Sequence, residues 1–175
     1  SFLANRKTTA NPVALVSGLR LLSLLHHHKA APIFLSYLGE TQPPAVRHHA
    51  LAALSALPHP KSVDADMVKA LLPLATDRTY PELVELALRI LQNVKIPASM
   101  TDEMVKLLYN RQSAVRRLAV RALGSFNSHR AAKALLACLD RSDWELGSET
   151  VSALRRINCT PELILKEIEH TDNLD

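Results

Sequence analysis

Three groups of side chains in this 175-residue chain have types suited to chemistry. Two histidine runs, His26-His27-His28 and His48-His49, invite a metal; Cys138 and Cys159 are the two available thiols; Arg20, Arg89, Arg117 and Arg121 could meet phosphate or an acidic peptide. Adjacent helical residues diverge by about 100°, so a run of histidines cannot converge on one ion while the helix continues. The spacing of three or four that a helical metal site needs is absent within either run, and the first run reads as a polar helix end near the C-terminal dipole. Neither cysteine has a histidine at a recognisable catalytic spacing, and two cysteines make neither a disulfide framework nor a zinc site, so buried thiols in a reducing compartment are expected. The chain shows no Gly-rich phosphate loop, no haem-attachment motif and no paired carboxylates on an apolar background, so no catalytic residue, metal or cofactor is expected.

The elements that must position these residues are helices. Hydrophobic residues make up 47% of the chain and aromatics 4%, with only four glycines, a composition of packed helices rather than of a sandwich or barrel. The helices repeat. Pro12–Leu22, Pro44–Leu54, Pro81–Leu91, Ser113–Leu123 and Trp144–Leu154 superpose at successive offsets of 32, 37, 32 and 31 residues. Each copy has a small residue (Gly18, Ala50, Ala87, Ala119, Thr150), then an aliphatic one, then Leu three positions later, which is helical spacing with one crowded face. Ahead of the last four stand the apolar segments Pro32–Leu38, Met67–Leu74, Met104–Leu108 and Ala134–Leu139, so the repeat is a helix pair. Pro44 and Pro81 fit a first helical turn, where no intrahelical donor is lost, and Ser99 or Thr101 is expected to cap the helix that follows. The expected units are 1–28, 29–62, 63–99, 100–130 and 131–160, closed by a helix over 161–170, in a single repeat domain that is expected to be a fragment of a longer protein.

Charge is unevenly spread. Residues 1–60 hold Arg6, Lys7, Arg20, Lys29 and Arg47 against the single acid Glu40, and the remainder holds sixteen charges of each sign, so the net +4 belongs to the first third. Six of the eight histidines lie there too, and a fall in pH would steepen the asymmetry. No apolar run reaches the eighteen residues a membrane span requires. No secretory signal is visible, and a cytoplasmic location is expected.

The run Val115-Arg116-Arg117-Leu118-Ala119-Val120-Arg121-Ala122-Leu123-Gly124, with Val46-Arg47, Ala50 and Ala53-Leu54 in the second unit, resembles the HEAT repeat and its bacterial HEAT-like relatives. The resemblance extends from about Asn11 to Pro161. It implies an all-α, right-handed α-α superhelix of about five helix pairs, each touching only its neighbours, with the second helices lining a concave face. It also implies a ladder between repeats, in which Asp77 and Asp140, and more loosely Glu40 and Asn110, match the acid that closes a first helix, while Arg47 and Arg116 match the arginine that opens a second. Val84 and Gly147 stand at that position in the third and fifth units, leaving the ladder incomplete.

Within this register Arg20, Arg89 and Arg121 are equivalent, with Ala52 and Ser152 in the other two units, and His48 and Arg117 fall one position class away. Such a row, held at fixed spacing, could bind phosphate or an acidic peptide; an ordinary solvated helix face, broken by Glu85 and Glu149, accounts for the same residues. The expected function is a non-catalytic scaffold whose concave face binds a protein partner through Arg20, His48, Arg89, Arg117 and Arg121. The alternative is nucleic-acid backbone binding. HEAT-like DNA glycosylases use a concave aromatic and an Asp, and Trp144 beside Asp143 is the only tryptophan. Two further activities of HEAT-like proteins, iron-dependent hydroxylation and bilin attachment, find no support: the chain has no His-Glu dipeptide and no residue diagnostic of the lyases.

Overall fold

The computed structural model describes residues 11–25, 30–57, 65–139 and 144–157, and every regular element among them is a helix. By internal contacts the chain divides into two compact units, residues 1–61 with 66–94 and residues 62–65 with 95–175. The first carries α1 (Pro12–Leu24), α2 (Ala31–Ser36), α3 (Pro44–Ala56), α4 (Ala65–Thr76) and α5 (Pro81–Asn93). The second carries a 3-10 turn (Ala98–Met100), α6 (Thr101–Leu107), α7 (Ser113–Leu123), α8 (His129–Leu139) and α9 (Trp144–Arg156).

Three of the second helices, α1, α3 and α5, begin on proline, whose fixed φ suits the first turn and whose missing N–H would have had no helical partner there. Only α1 among these adds a side-chain cap, Asn11 Oδ1 accepting from the Val13 amide at 3.0 Å. In the last four copies the small position is sealed: Ala50, Ala87, Ala119 and Thr150 are wholly buried, with Gly18 of the first copy half-buried, and the Thr150 hydroxyl is satisfied by donating to the Leu146 carbonyl at 2.7 Å. Each closing leucine from Leu54 to Leu154 is buried beside it, at roughly 1.5–3 kcal/mol per side chain removed from water.

In the first unit α3 is central, touching α1, α2 and α5, and it buries Val46, Arg47, Ala50, Leu51, Ala53 and Leu54. Helix α1 instead buries only Leu19 and leaves Val13, Leu21 and Leu24 exposed. Helix α4 contains Pro73, which brings no N–H, so the Lys69 carbonyl one turn back lacks its helical donor.

In the second unit α6 packs on α7 and α8 on α9, while α7 meets α9 and α6 meets α8, the first and second helices of neighbouring repeats each stacking on their own kind. Gly124 lets α7 and α9 close: a Cβ there would stand 2.6 Å from Ala153 Cβ, a separation that real side chains do not tolerate. Across α6 and α8, Arg130 Nη2 meets Asp102 Oδ1 at 2.8 Å, both side chains largely exposed.

One expectation fails locally. Thr101 does not cap α6; its hydroxyl donates back to the Ala98 carbonyl at 2.6 Å, and Ser99 lies inside the 3-10 turn, because that turn winds directly into the α-helix and leaves no extended residue to serve as a cap. In the same unit Ser128 caps α8, its hydroxyl accepting from the Ala131 amide at 3.3 Å. His26-His27-His28, Asp140, Asp143, Cys159 and the helix expected over 161–170 lie outside the described residues. No helix among the described residues is long and apolar enough to cross a membrane.

Candidate functional site

Second helices present their basic residues one position after the buried aliphatic of the repeat. Leu19, Leu88 and Val120 are buried, and the next residues, Arg20, Arg89 and Arg121, are exposed, because a step of about 100° carries a side chain off the packed stripe. Their surroundings differ.

In the first unit, Arg20 on α1 acts on His49 of α3. Burial first, then the neighbouring His48, then the Arg20 charge push His49 below the ordinary histidine range and favour its neutral form. The His48 and His49 rings meet edge-on with centroids 5.6 Å apart. Arg89 is already engaged on its own helix: Nη2 donates to Glu85 Oε1 at 2.9 Å, one turn earlier, with both groups exposed. A pair of this kind is worth about 0.3–0.5 kcal/mol, weak enough to exchange for a partner's carboxylate but enough to blunt the local charge.

In the second unit, Arg121 opens onto a cavity of about 250 Å³ lined also by Val120, Ser148, Glu149, Ser152 and Arg156. Ser148, Ser152 and Arg156 follow at intervals of four, so they share one stripe of α9, opposite Arg121 on α7. Arg156 Nε donates to the Ser152 carbonyl at 3.2 Å, which turns its guanidinium along that stripe. Arg117 is half-buried and engaged with neighbouring groups. Sequence reading passed over Arg156 and Ser148; the signal available was the interval of four from Ser152, the residue in register with Arg121.

The arginines that open α3 and α7 sit in different company. Arg47 is 6% exposed, its Nη2 lies 3.9 Å from Asp77 Oδ2 in the α4–α5 turn, and its Cζ stands 5.8 Å from the Tyr80 ring centroid. The Arg47 Nε has no hydrogen-bond partner. Asp77 is held ionised below the usual carboxylate range, chiefly by the Thr79 amide, which donates to Oδ1 at 2.8 Å, with the Arg47 charge contributing less. Arg116 instead donates from Nη1 to the carbonyls of Asn110 and Arg111, each at 3.0 Å, within its own helix pair. Asn110 Oδ1 accepts from the Gln112 amide at 2.9 Å, the same turn that Asp77 makes with Thr79. Glu40 is exposed in the α2–α3 turn.

Trp144 opens α9 on the surface, at 90% exposure. Cys138 is a buried free thiol, and burial pushes its pKa up, so its reactive thiolate is disfavoured. Among the described residues no group of three or more His, Cys, Asp or Glu could hold a metal ion.

Helix pairs that bury a small residue at the same position and stack on their neighbours define a helical-repeat protein. The family model for HEAT repeats matches residues 68–155, half of the chain, and the chain belongs to the HEAT repeat family. HEAT repeats are generally protein-interaction scaffolds. No curated protein matches the chain.

Proposed function

We propose that this chain is a non-catalytic scaffold that binds an acidic segment of a protein partner through the exposed basic positions of its second helices. The observation that carries the reading is the cavity between α7 and α9, where Arg121 and Arg156 approach from two helices with Ser148 and Ser152 between them. Two guanidiniums and two hydroxyls outweigh the single carboxylate of Glu149 and offer converging donors to an anionic side chain. The first unit has basic positions of its own in Arg20 with His48 and in Arg89 after release from Glu85, and in the second unit Arg117 stands one turn before Arg121 on α7. The buried, protonated thiol of Cys138 accords with a reducing, cytoplasmic setting.

The test is partner binding by the full chain and by an Arg121→Glu/Arg156→Glu variant whose helix content and melting temperature match the parent. A loss of at least tenfold in affinity is expected, since two charge-assisted contacts become repulsive. Unchanged affinity removes the reading. Retention of generic DNA at low salt, with a steep salt slope, would instead assign the basic positions to nucleic-acid backbone binding.

A further inference from the structure

The first unit holds a recess of its own, lined by Arg47 and by neither Arg20 nor Arg89. It has a volume of about 940 Å³ and lies among α2, the α2–α3 turn, α4 and the α4–α5 turn. That space is some thirty times the share of one water molecule and falls within the range of small-ligand and peptide pockets. Its walls are divided by chemistry. Leu35, Leu38, Ala70, Pro73 and Leu74 make an apolar side, and Arg47 with Tyr80 makes a polar end.

The polar end is unfinished. Arg47 is more than nine-tenths buried, its Nε has no hydrogen-bond partner, and the 3.9 Å approach to Asp77 is too long for a hydrogen bond. Charge attraction and the Tyr80 face hold the guanidinium in place, but its donors remain to be taken up. Arg47 also lines the recess, so an acceptor seated there can meet its guanidinium.

The charges in the recess indicate which acceptor. Arg47 already has Asp77 as counter-charge, and Glu40 adds a second carboxylate among the lining residues. An anionic ligand would meet two carboxylates around one guanidinium; a cationic one brings no acceptor for the guanidinium and meets its charge as well. A neutral carbonyl satisfies the guanidinium without either conflict. We propose that this recess is a docking site for an extended segment of a partner polypeptide, which places an aliphatic side chain against Leu35, Leu38 and Leu74 and a main-chain carbonyl on the Arg47 guanidinium. The recess shares no lining residue with the α7/α9 cavity, so either can fail without the other.

The experiment uses the full chain with isotope-labelled arginine side chains and leucine methyls. Three probes share one aliphatic body: N-acetyl-leucinamide is neutral, N-acetyl-leucine carries a carboxylate, and leucinamide carries an ammonium. The neutral probe is expected to shift the Arg47 Nε–Hε signal and the methyls of Leu35, Leu38 and Leu74, with a dissociation constant on the order of 1–10 mM for so small a fragment. The charged probes are expected to bind at least threefold more weakly. Filling the recess with Ala70→Leu should abolish the shifts, and nuclear Overhauser contacts from the probe to Leu35 in the unaltered chain give the same answer should that variant not fold. Absence of shifts at 50 mM neutral probe, equal or tighter binding of the carboxylate probe, or shifts that survive in folded Ala70→Leu would each overturn the proposal.

Discussion

Arg47 and Arg116 stand at the same place in α3 and α7, four residues into each helix, yet the two units use them differently. In the second unit Arg116 fastens the turn before its own helix by donating to two backbone carbonyls. In the first, Arg47 reaches toward the turn of the next repeat, meets Asp77 at 3.9 Å and keeps an unpartnered Nε. The turns themselves are alike, since Asp77 and Asn110 each accept from the amide two residues on. The same repeat position therefore serves as a clamp in one unit and as a buried, incompletely satisfied charge in the other. Register fixes where a side chain starts, and neighbours decide what it does.

The largest effects should separate these two arginines. Arg116→Met removes two charge-assisted hydrogen bonds and should lower the stability of the second unit by about 2–4 kcal/mol. Arg47→Met exchanges a poorly satisfied buried charge for apolar volume and should change the first unit by less than about 1.5 kcal/mol, in either direction. Amide hydrogen exchange, read separately over α3–α5 and α7–α9, measures both. Equal losses would break the contrast.

Close approach gives the next contrast. Gly124→Ala should cost about 1–3 kcal/mol, because the new methyl falls on Ala153 and α7 must move from α9. Ser55, at the corresponding end of α3, is half-buried and its hydroxyl only donates to the Ala52 carbonyl, so Ser55→Ala should stay within about 0.5 kcal/mol. Urea midpoints of the two variants check the difference.

Smaller still is a pH effect confined to the first unit. His49 has a folded pKa below its unfolded value, so the unfolded chain binds more protons between the two. Stability is therefore full above the ordinary histidine value of about 6.5 and falls as pH drops from there through the lowered folded value. His48 beside it and Arg20 on α1 add to the shift. The His49→Gln variant should flatten this part of the melting-temperature profile, measured from pH 7.5 to 5. The smallest change is expected for Arg89→Ala, within about 0.5 kcal/mol, since the Glu85 pair is exposed.

The helices were legible because their signals are local. A small residue and a leucine four places on are written into each copy, with proline at the first turn of three, and the second helices start at Pro12, Pro44, Pro81, Ser113 and Trp144, where that register puts them. The cap of α6 is not legible, because Thr101 looks the same to its neighbours whether it caps a helix or continues a 3-10 turn. Gly124 could be recognised as part of a repeat signature, but its reason, Ala153 twenty-nine residues later, is a packing distance that no local spacing encodes. Site residues were less legible. Equivalence of Arg20, Arg89 and Arg121 follows from register, whereas the Glu85 contact of one and the α9 partners of another depend on which side chains face them.

The central claim is that the basic cavity of α7 and α9 receives a partner's acidic segment. Its most direct measurement is the dissociation constant of a purified partner for the parent chain and for Arg121→Glu/Arg156→Glu, at low and at moderate salt. The account predicts at least a tenfold loss in the variant and weakening of the parent as salt rises. Equal affinities at both salt concentrations, in a variant with unchanged melting temperature, would contradict it.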